Sequence, residues 1–295
     1  MERPARLSVG VVSAGRVGSV LGATLATAGH SVIAASGVSA ASIRRCETLL
    51  PGVELARPDE VAARSDLVVL AIPDDALAGT VRGLVAAGAL RSGQIVVHTS
   101  GAHGVDVLAP AAGVGALCVA LHPAMTFTGR EEDIQRLAAC CVGVTAGDGD
   151  EAAYQVGEAL AVEMGAEPVR IAEGVRPLYH AALTHGANHL LTLVADCVEV
   201  LRDAGIGNAE RLIGPLLSAS LDNALRHGGR ALTGPVARGD TETVRTHLEV
   251  LGERAPRVAD CYTALARRTA ERAREDGLLA EGAAAEIEST LGGSR

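Results

Sequence analysis

The residues best suited to proton transfer cluster in three short stretches. His98 and His122 each close an apolar run, in His98-Thr99-Ser100-Gly101 and in Leu121-His122-Pro123-Ala124-Met125-Thr126-Phe127. The third stretch runs from Tyr179 to His189. There His180, Thr184 and Asn188 recur at a spacing of four and share one helical face, while His185 and His189 form a neighbouring pair. Imidazole is the group most readily protonated and deprotonated near neutral pH, so His122, His180 and His185 are candidate proton donors. Thr184 and Asn188 are their neighbours on the stripe, and Tyr179 is a candidate substrate contact. The competing reading is a polar seam that only specifies helix packing. His185 and His189 have a metal-like spacing, but no third ligand is marked out and no metal site is expected. His30, His227 and His247 lie in polar or edge contexts and read as surface residues. The chain contains no lysine; all 26 basic residues are arginine. Schiff-base chemistry and a lysine general acid are therefore excluded.

A second constellation lies near the N-terminus. The segment Gly10-Val11-Val12-Ser13-Ala14-Gly15-Arg16-Val17-Gly18 has the GxGxxG spacing with serine at the first glycine. After a strand and before an apolar helix, such a turn brings backbone N–H groups up to a dinucleotide pyrophosphate. Gly15 allows close approach, Gly18 allows close helix packing, and Ser13 must tolerate a backbone conformation that suits glycine. The next apolar run ends at Ala35-Ser36 without a carboxylate before Glu47, and Ser36, Ser39, Ser42, Arg44 and Arg45 follow. Hydroxyls and guanidinium groups suit a 2′-phosphate, so NADP is read in preference to NAD. Ile72-Pro73-Asp74 and Thr99-Ser100-Gly101 are expected to line the same crevice, although Asp74 also fits a helix N-cap.

Positioning these residues requires a parallel sheet. From Leu7 to about Ile171, Val- and Ile-rich runs alternate with amphipathic or Ala-rich segments, the βαβ pattern. Strands are predicted at Leu7–Val12, His30–Ala35, Leu67–Ile72, Gln94–Thr99, Ala116–Leu121, Cys141–Thr145 and Pro168–Ile171. Beyond Gly174 only helical spacing remains, with breaks near 205–207, 214–215 and 228–235. The first of these helices, about 176–204, would span about 43 Å, a length that commonly pairs across a dimer. The expected architecture is an α/β chain: a Rossmann-type, doubly wound, mostly parallel domain over 1–172, then an all-α dimerisation and substrate domain over 173–295. Within the second part, Leu232-Thr233-Gly234-Pro235-Val236-Ala237-Arg238-Gly239-Asp240 reads as a turn in which Asp240 caps the next helix. Thr233 and Arg238 are placed to meet an anionic substrate. The segment 278–295 is expected to fray.

Composition narrows the partners. A formal charge of −9 with four aromatic residues disfavours nucleic acid, and no apolar run reaches the roughly 20 residues that cross a bilayer. The six cysteines lack CxxC or zinc spacing and read as buried, reduced thiols. The polar start leaves no signal peptide, which makes the cytoplasm the expected location.

The four ordered motifs, His98-Thr99-Ser100-Gly101, His122-Pro123 with Thr126-Phe127, Tyr179-His180-Ala181-Ala182 with Asn188, and Ala231 to Asp240, resemble bacterial Rossmann-like proteins with a C-terminal domain of unknown function 2520. More distantly they are similar to pyrroline-5-carboxylate reductase, ketopantoate reductase and the 6-phosphogluconate dehydrogenase-like group. The resemblance implies an NADP-dependent oxidoreductase with a helical dimerisation domain and names no substrate. In the hydroxyacid dehydrogenases of that wider group a helix lysine donates the proton and an asparagine four residues on binds substrate. Matching that asparagine to Asn188 puts Thr184 at the lysine position. Three expectations follow: a histidine takes the role, the reaction is an imine reduction whose nitrogen is already protonated, or no hydride transfer occurs and the protein is an NADP-binding redox sensor or scaffold. A deazaflavin in place of nicotinamide is a further alternative.

Overall fold

The computed structural model describes residues 6–292. The described residues fall into two compact units, divided between 186 and 187. The seven predicted strands all form. They are β1 (Ser8–Val12), β2 (Ser31–Ala35), β4 (Leu67–Leu70), β5 (Ile95–His98), β6 (Leu117–Pro123), β7 (Cys141–Thr145) and β8 (Glu167–Arg170). An eighth, β3 (Glu54–Leu55), was not expected, because its two exposed residues carry no apolar run. The sheet order is β3-β2-β1-β4-β5-β6-β7-β8, and every pairing is parallel except β6 with β7. Order and direction together make a Rossmann-type sheet with one antiparallel joint.

The strands are apolar on both faces because helices cover both. Between them run α1 (Arg16–Thr27), α2 (Ala40–Leu49), α3 (Pro58–Arg64), α4 (Asp74–Ala86), α5 (Ala109–Ala112), α6 (Glu132–Leu137) and α7 (Glu151–Glu163). Alternation along β1 sends Val9 and Val11 to one core with Leu21 and Leu25 of α1 and Leu160 of α7. It sends Val12 to the other, with Val61 of α3 and Leu77, Val81 and Leu84 of α4. Each fully buried Val or Leu contributes roughly 1.5–3 kcal/mol, which fixes the register and hence where each strand ends. His30 is buried, contrary to its surface reading: Nε2 lies 2.8 Å from the Glu163 carboxylate and Nδ1 accepts from the Leu7 N–H, tying β1 to α7.

Helix α8 (Arg176–Asp203) spans the division between the units. The second unit continues with α9 (Ala209–His227), α10 (Pro235–Arg238), α11 (Thr241–Arg254), α12 (Pro256–Glu275) and α13 (Glu281–Gly292). No strand occurs in it among the described residues. The break expected at 214–215 is absent: α9 carries Pro215 inside it, and losing one backbone hydrogen bond does not end a helix of 19 residues. The Asp240 side chain accepts from the Thr243 N–H and caps α11. Small residues Ala266, Ala270 and Ala273 let α12 pack closely on Ala284, Ile287 and Leu291 of α13. That helix occupies the stretch expected to fray; 293–295 lie outside the described residues. Of the cysteines only Cys46 and Cys118 are buried, while Cys141 and Cys261 are exposed; all are free thiols.

Candidate functional site

The turn after β1 is built around a left-handed serine. Ser13 has φ +75°, and it is the only non-glycine residue with positive φ among the described residues. Such a conformation costs roughly 1–2 kcal/mol and persists only where its surroundings hold it. Here the Ser13 N–H donates to Ser36 Oγ at 2.9 Å, and the Ala14 N–H donates to the Ser36 carbonyl. Ser36 is thus buried and clamps the turn. Gly18 is fixed by the same geometry, since a Cβ there would lie 2.1 Å from the Ser13 carbonyl oxygen. Gly15 occupies the N-cap of α1 with no side chain to satisfy the first-turn N–H groups of Arg16, Val17 and Gly18, which leaves donors free for an anion.

The turn leads directly into a cation, Arg16, and α2 carries two more, Arg44 and Arg45. Arg16 and Arg44 are exposed and Arg45 half-buried, and among the described residues none of the three has a carboxylate within ion-pair distance. The Arg45 and Arg16 side chains converge on Gly129. The loop carrying Gly129 is anchored by buried Asp133, which accepts from the N–H groups of Thr128 and Gly129 at 2.7 and 2.8 Å. Ser39 and Ser42 are engaged in reciprocal hydrogen bonds that cap α2. Asp74 opens α4, with Pro73 at the N-cap position and half-buried Ile72 packed into the core beneath.

A second cluster lies beyond β5 and β6, whose carboxyl ends share an edge of the sheet with the turn. His98 is fully buried. Its Nε2–H donates to the Gly104 carbonyl at 2.8 Å and its Nδ1 accepts from the Ser100 N–H at 3.2 Å. With both nitrogens spent, His98 pins the 99–104 loop and is closed to substrate, a correction to its reading as a proton-transfer candidate. Ser100 Oγ accepts from the His103 N–H, and the Thr99 N–H continues the ladder to Leu70. Gly101 is pressed on two imidazoles: a Cβ there would meet His180 Cδ2 at 2.6 Å and His122 Nε2 at 2.8 Å.

His122 and Tyr179 form the centre of this cluster. His122 Nδ1 and the Tyr179 hydroxyl share a hydrogen bond of 2.8 Å, and the two rings meet edge to face. His180 meets His122 edge to face at 6.2 Å. Burial pushes the His122 imidazole down to about 4, and the nearby Arg176 guanidinium acts in the same direction. Burial likewise pushes the Tyr179 hydroxyl up, with Arg176 opposing. At neutral pH the pair is therefore a neutral imidazole and a protonated phenol. Thr184, half-buried, follows one turn beyond His180, and His185 and Asn188 occupy exposed positions further along α8.

Thr233 and Arg238 belong to the helical unit. Arg238 is exposed at the end of α10, and Thr233 lines a largely apolar cavity of about 510 Å³ together with Cys197, His247, Cys261 and Tyr262. His247, read as a surface residue, is half-buried there and shares a 3.0 Å hydrogen bond with the Tyr262 hydroxyl.

Sequence reasoning missed Arg176. It is fully buried, and its Nε, Nη1 and Nη2 have no hydrogen-bond partner among the described residues. The signal was present, because Arg176 lies one helical step before His180 and extends the 180-184-188 stripe back to the start of α8.

The sheet order, the turn after β1 and the polar groups beyond the strand ends define a Rossmann-like domain followed by a helical one. Residues 1–123 match the family model of a Rossmann-like domain, and residues 140–269 match the domain of unknown function DUF2520. The chain thus joins a Rossmann-like domain to DUF2520. Comparison with curated proteins gives no match. Among solved structures, a Bacteroides fragilis protein named for an NADP oxidoreductase is similar with a TM-score of 0.76 and 20% identity, over 90% of this chain and 98% of that one. An imine reductase from Myxococcus stipitatus in complex with NADP+ gives 0.65 and 18%, over 90% and 94%. A pyrroline carboxylate reductase from Plasmodium falciparum with NADP bound gives 0.56 and 12%, over 98% of each chain. At these identities the likeness is one of fold.

Proposed function

We propose that this protein is an NADP(H)-dependent reductase of a small carbonyl or imine substrate that carries a carboxylate. The observation that carries the reading is the Tyr179–His122 pair, 2.8 Å apart beside Gly101 at the carboxyl edge of the sheet. The turn fits the dinucleotide: its first-turn N–H groups have no side-chain cap, and among the described residues Arg16, Arg44 and Arg45 make no ion pair with a carboxylate, which leaves them available to a 2′-phosphate. The same fold occurs in imine reductases and a pyrroline carboxylate reductase. When bound, the cofactor supplies the hydride.

The remaining chemistry belongs to this chain. Ser13 to Gly18 hold the pyrophosphate, and Ile72, Pro73, Asp74, Thr99, Ser100 and Gly101 flank the reacting end. The Tyr179 hydroxyl gives a proton to the reduced oxygen or nitrogen, and His122 Nδ1 keeps it oriented. His180 and Thr184 continue the polar face, with His185 and Asn188 further along α8; in the helical unit, Thr233 and Arg238 are proposed as contacts for an anionic substrate. We assign the protein to the cytoplasm as a homodimer through residues 173–295. The exposed leucines 212, 216, 221 and 225 on α9 favour that pairing, and no helix among the described residues is long and apolar enough to cross a membrane.

A redox-sensing NADP-binding protein without turnover is the second reading, favoured by the absence of a lysine at Thr184. Calorimetry with NADPH, followed by NADPH oxidation against a panel of cyclic imines and keto acids, separates the two. Binding with turnover supports the reductase, binding with no turnover supports the sensor, and no binding removes both.

A further inference from the structure

We propose that Arg176 is the seat of the substrate carboxylate, held beside the Tyr179 ring whose hydroxyl bonds His122. The inference rests on the reductase reading for its substrate class and deepens it.

Arg176 is the first residue of a 28-residue helix, and its guanidinium is sealed from solvent. Among the described residues, its Nε, Nη1 and Nη2 are the only buried side-chain nitrogen or oxygen atoms without a hydrogen-bond partner. Guanidinium does not shed its charge by titration, so burial leaves a cation with no hydrogen-bond partner, offset only through space by the Glu173 carboxylate. Native proteins rarely keep such a group unless something outside the chain completes it.

The neighbouring acceptors are already engaged. The Glu173 carboxylate accepts from the N–H groups of Val105 and Asp106, at 2.7 and 3.4 Å, and so caps the turn after the loop. The Tyr179 hydroxyl, whose ring lies 5.8 Å from the Arg176 guanidinium carbon, is bonded to His122. His98 spends both nitrogens on the loop. Asp74 is exposed at the start of α4 and makes no ion pair among the described residues.

Near the cation are the imidazoles of His98 and His122, the Tyr179 phenol, the N-terminal end of α8 and one carboxylate, Glu173, which acts on it through space while its own hydrogen bonds go to the turn; no protein anion is bonded to it. A planar, two-oxygen anion matches the guanidinium fork and can take two parallel N–H bonds. A carboxylate meets that condition, and its carbon skeleton then extends towards the Tyr179 hydroxyl and the rings of His122 and His180, where Gly101 leaves room only for a compact substrate. The charge that reads the substrate lies beside the group that protonates it.

The test uses binding, so that it stands apart from turnover. Pyrrole-2-carboxylate and pyrrole are titrated into the full-length protein by calorimetry, and the ring nitrogens of His122 are followed by NMR. The expected result is that the carboxylate binds and shifts the His122 resonances while pyrrole does neither. Arg176→Met is expected to weaken the carboxylate at least about tenfold, as loss of a bidentate charged contact does, and to leave NADPH affinity unchanged. Removing an unpartnered buried cation should also raise the melting temperature of the ligand-free protein. If that variant does not fold, Arg176→Lys is measured in its place and is expected to bind the carboxylate about threefold or more weakly. Unchanged carboxylate affinity in the variant, or equal binding of pyrrole and its carboxylate, overturns the proposal. Inorganic phosphate binding as tightly as the carboxylate overturns the assignment to a carboxylate. NADPH titrated into the same samples reads the reductase proposal separately.

Discussion

Acidification from pH 7 to pH 5 is expected to weaken the fold through His98 and His122. In the unfolded chain each imidazole titrates near its ordinary value of 6.5, and in the folded chain burial pushes each down to about 4. Between those values the unfolded chain holds a proton that the folded chain refuses. Stability is therefore fully present above 6.5 and is lost as the pH falls towards 4. At pH 5 one such histidine removes about 2 kcal/mol, and two acting independently remove about 4 kcal/mol. Against a usual folding stability of roughly 5–15 kcal/mol that is a large fraction. Carboxyls held below their ordinary range, such as Asp66 and Asp240, titrate beneath this window and leave it to the histidines. Urea unfolding under reducing conditions measures the effect, followed by far-ultraviolet circular dichroism because the chain has no tryptophan. The substitution His98→Gln retains a donor for the Gly104 carbonyl and cannot titrate. It should flatten the difference between pH 7 and pH 5 by about 2 kcal/mol. Equal pH dependence in the parent protein and His98→Gln would refute the assignment of a buried neutral imidazole at this position.

Three further outcomes are expected. Gly18→Ala drives a methyl into the Ser13 carbonyl and should cost about 1–3 kcal/mol in thermal unfolding together with most of the NADPH affinity seen by calorimetry. Tyr179→Phe should lower NADPH-dependent turnover of an accepted imine by about a hundredfold with cofactor affinity unchanged, and full activity would remove Tyr179 as the acid. Replacing Arg44 and Arg45 together by alanine should weaken NADP about tenfold and leave NAD unaffected, read from the two titration curves.

The sheet was legible because its strands are buried on both faces and therefore read as continuous apolar runs such as Leu67–Leu70. Edge strand β3 lacks that burial and left no trace. The Gly-rich turn was legible down to its strained position, since serine at Ser13 had to take a glycine conformation and does. The histidines were harder. His98 and His122 end adjacent parallel strands and look equivalent in sequence, yet one is consumed by its own loop and the other faces a tyrosine. No local pattern separates them, because the difference lies in which segment folds over each ring. For Arg176 the spacing of four with His180 was legible, but its burial was not: an arginine in the first turn of a helix reads as a solvated end, and only tertiary packing removes its partners.

The same arginine bears on which group gives up a proton. A lysine buried at that point can discard its charge by losing a proton, whereas arginine keeps it. Burial is the main reason an imidazolium is disfavoured at His122, and the permanent cation adds to it in the same direction. Its effect on Tyr179 has the opposite consequence. Burial raises the phenol and Arg176 lowers it, so the hydroxyl stays protonated at rest while the guanidinium stabilises the phenolate left when the proton departs. A substrate carboxylate that neutralises Arg176 would weaken both effects, easing protonation of His122, which is bonded to the same hydroxyl. In a chain without lysine, the proposed reductase therefore draws its acid from the Tyr179–His122 pair, and on that proposal Arg176 biases which partner holds the proton before and after substrate binds.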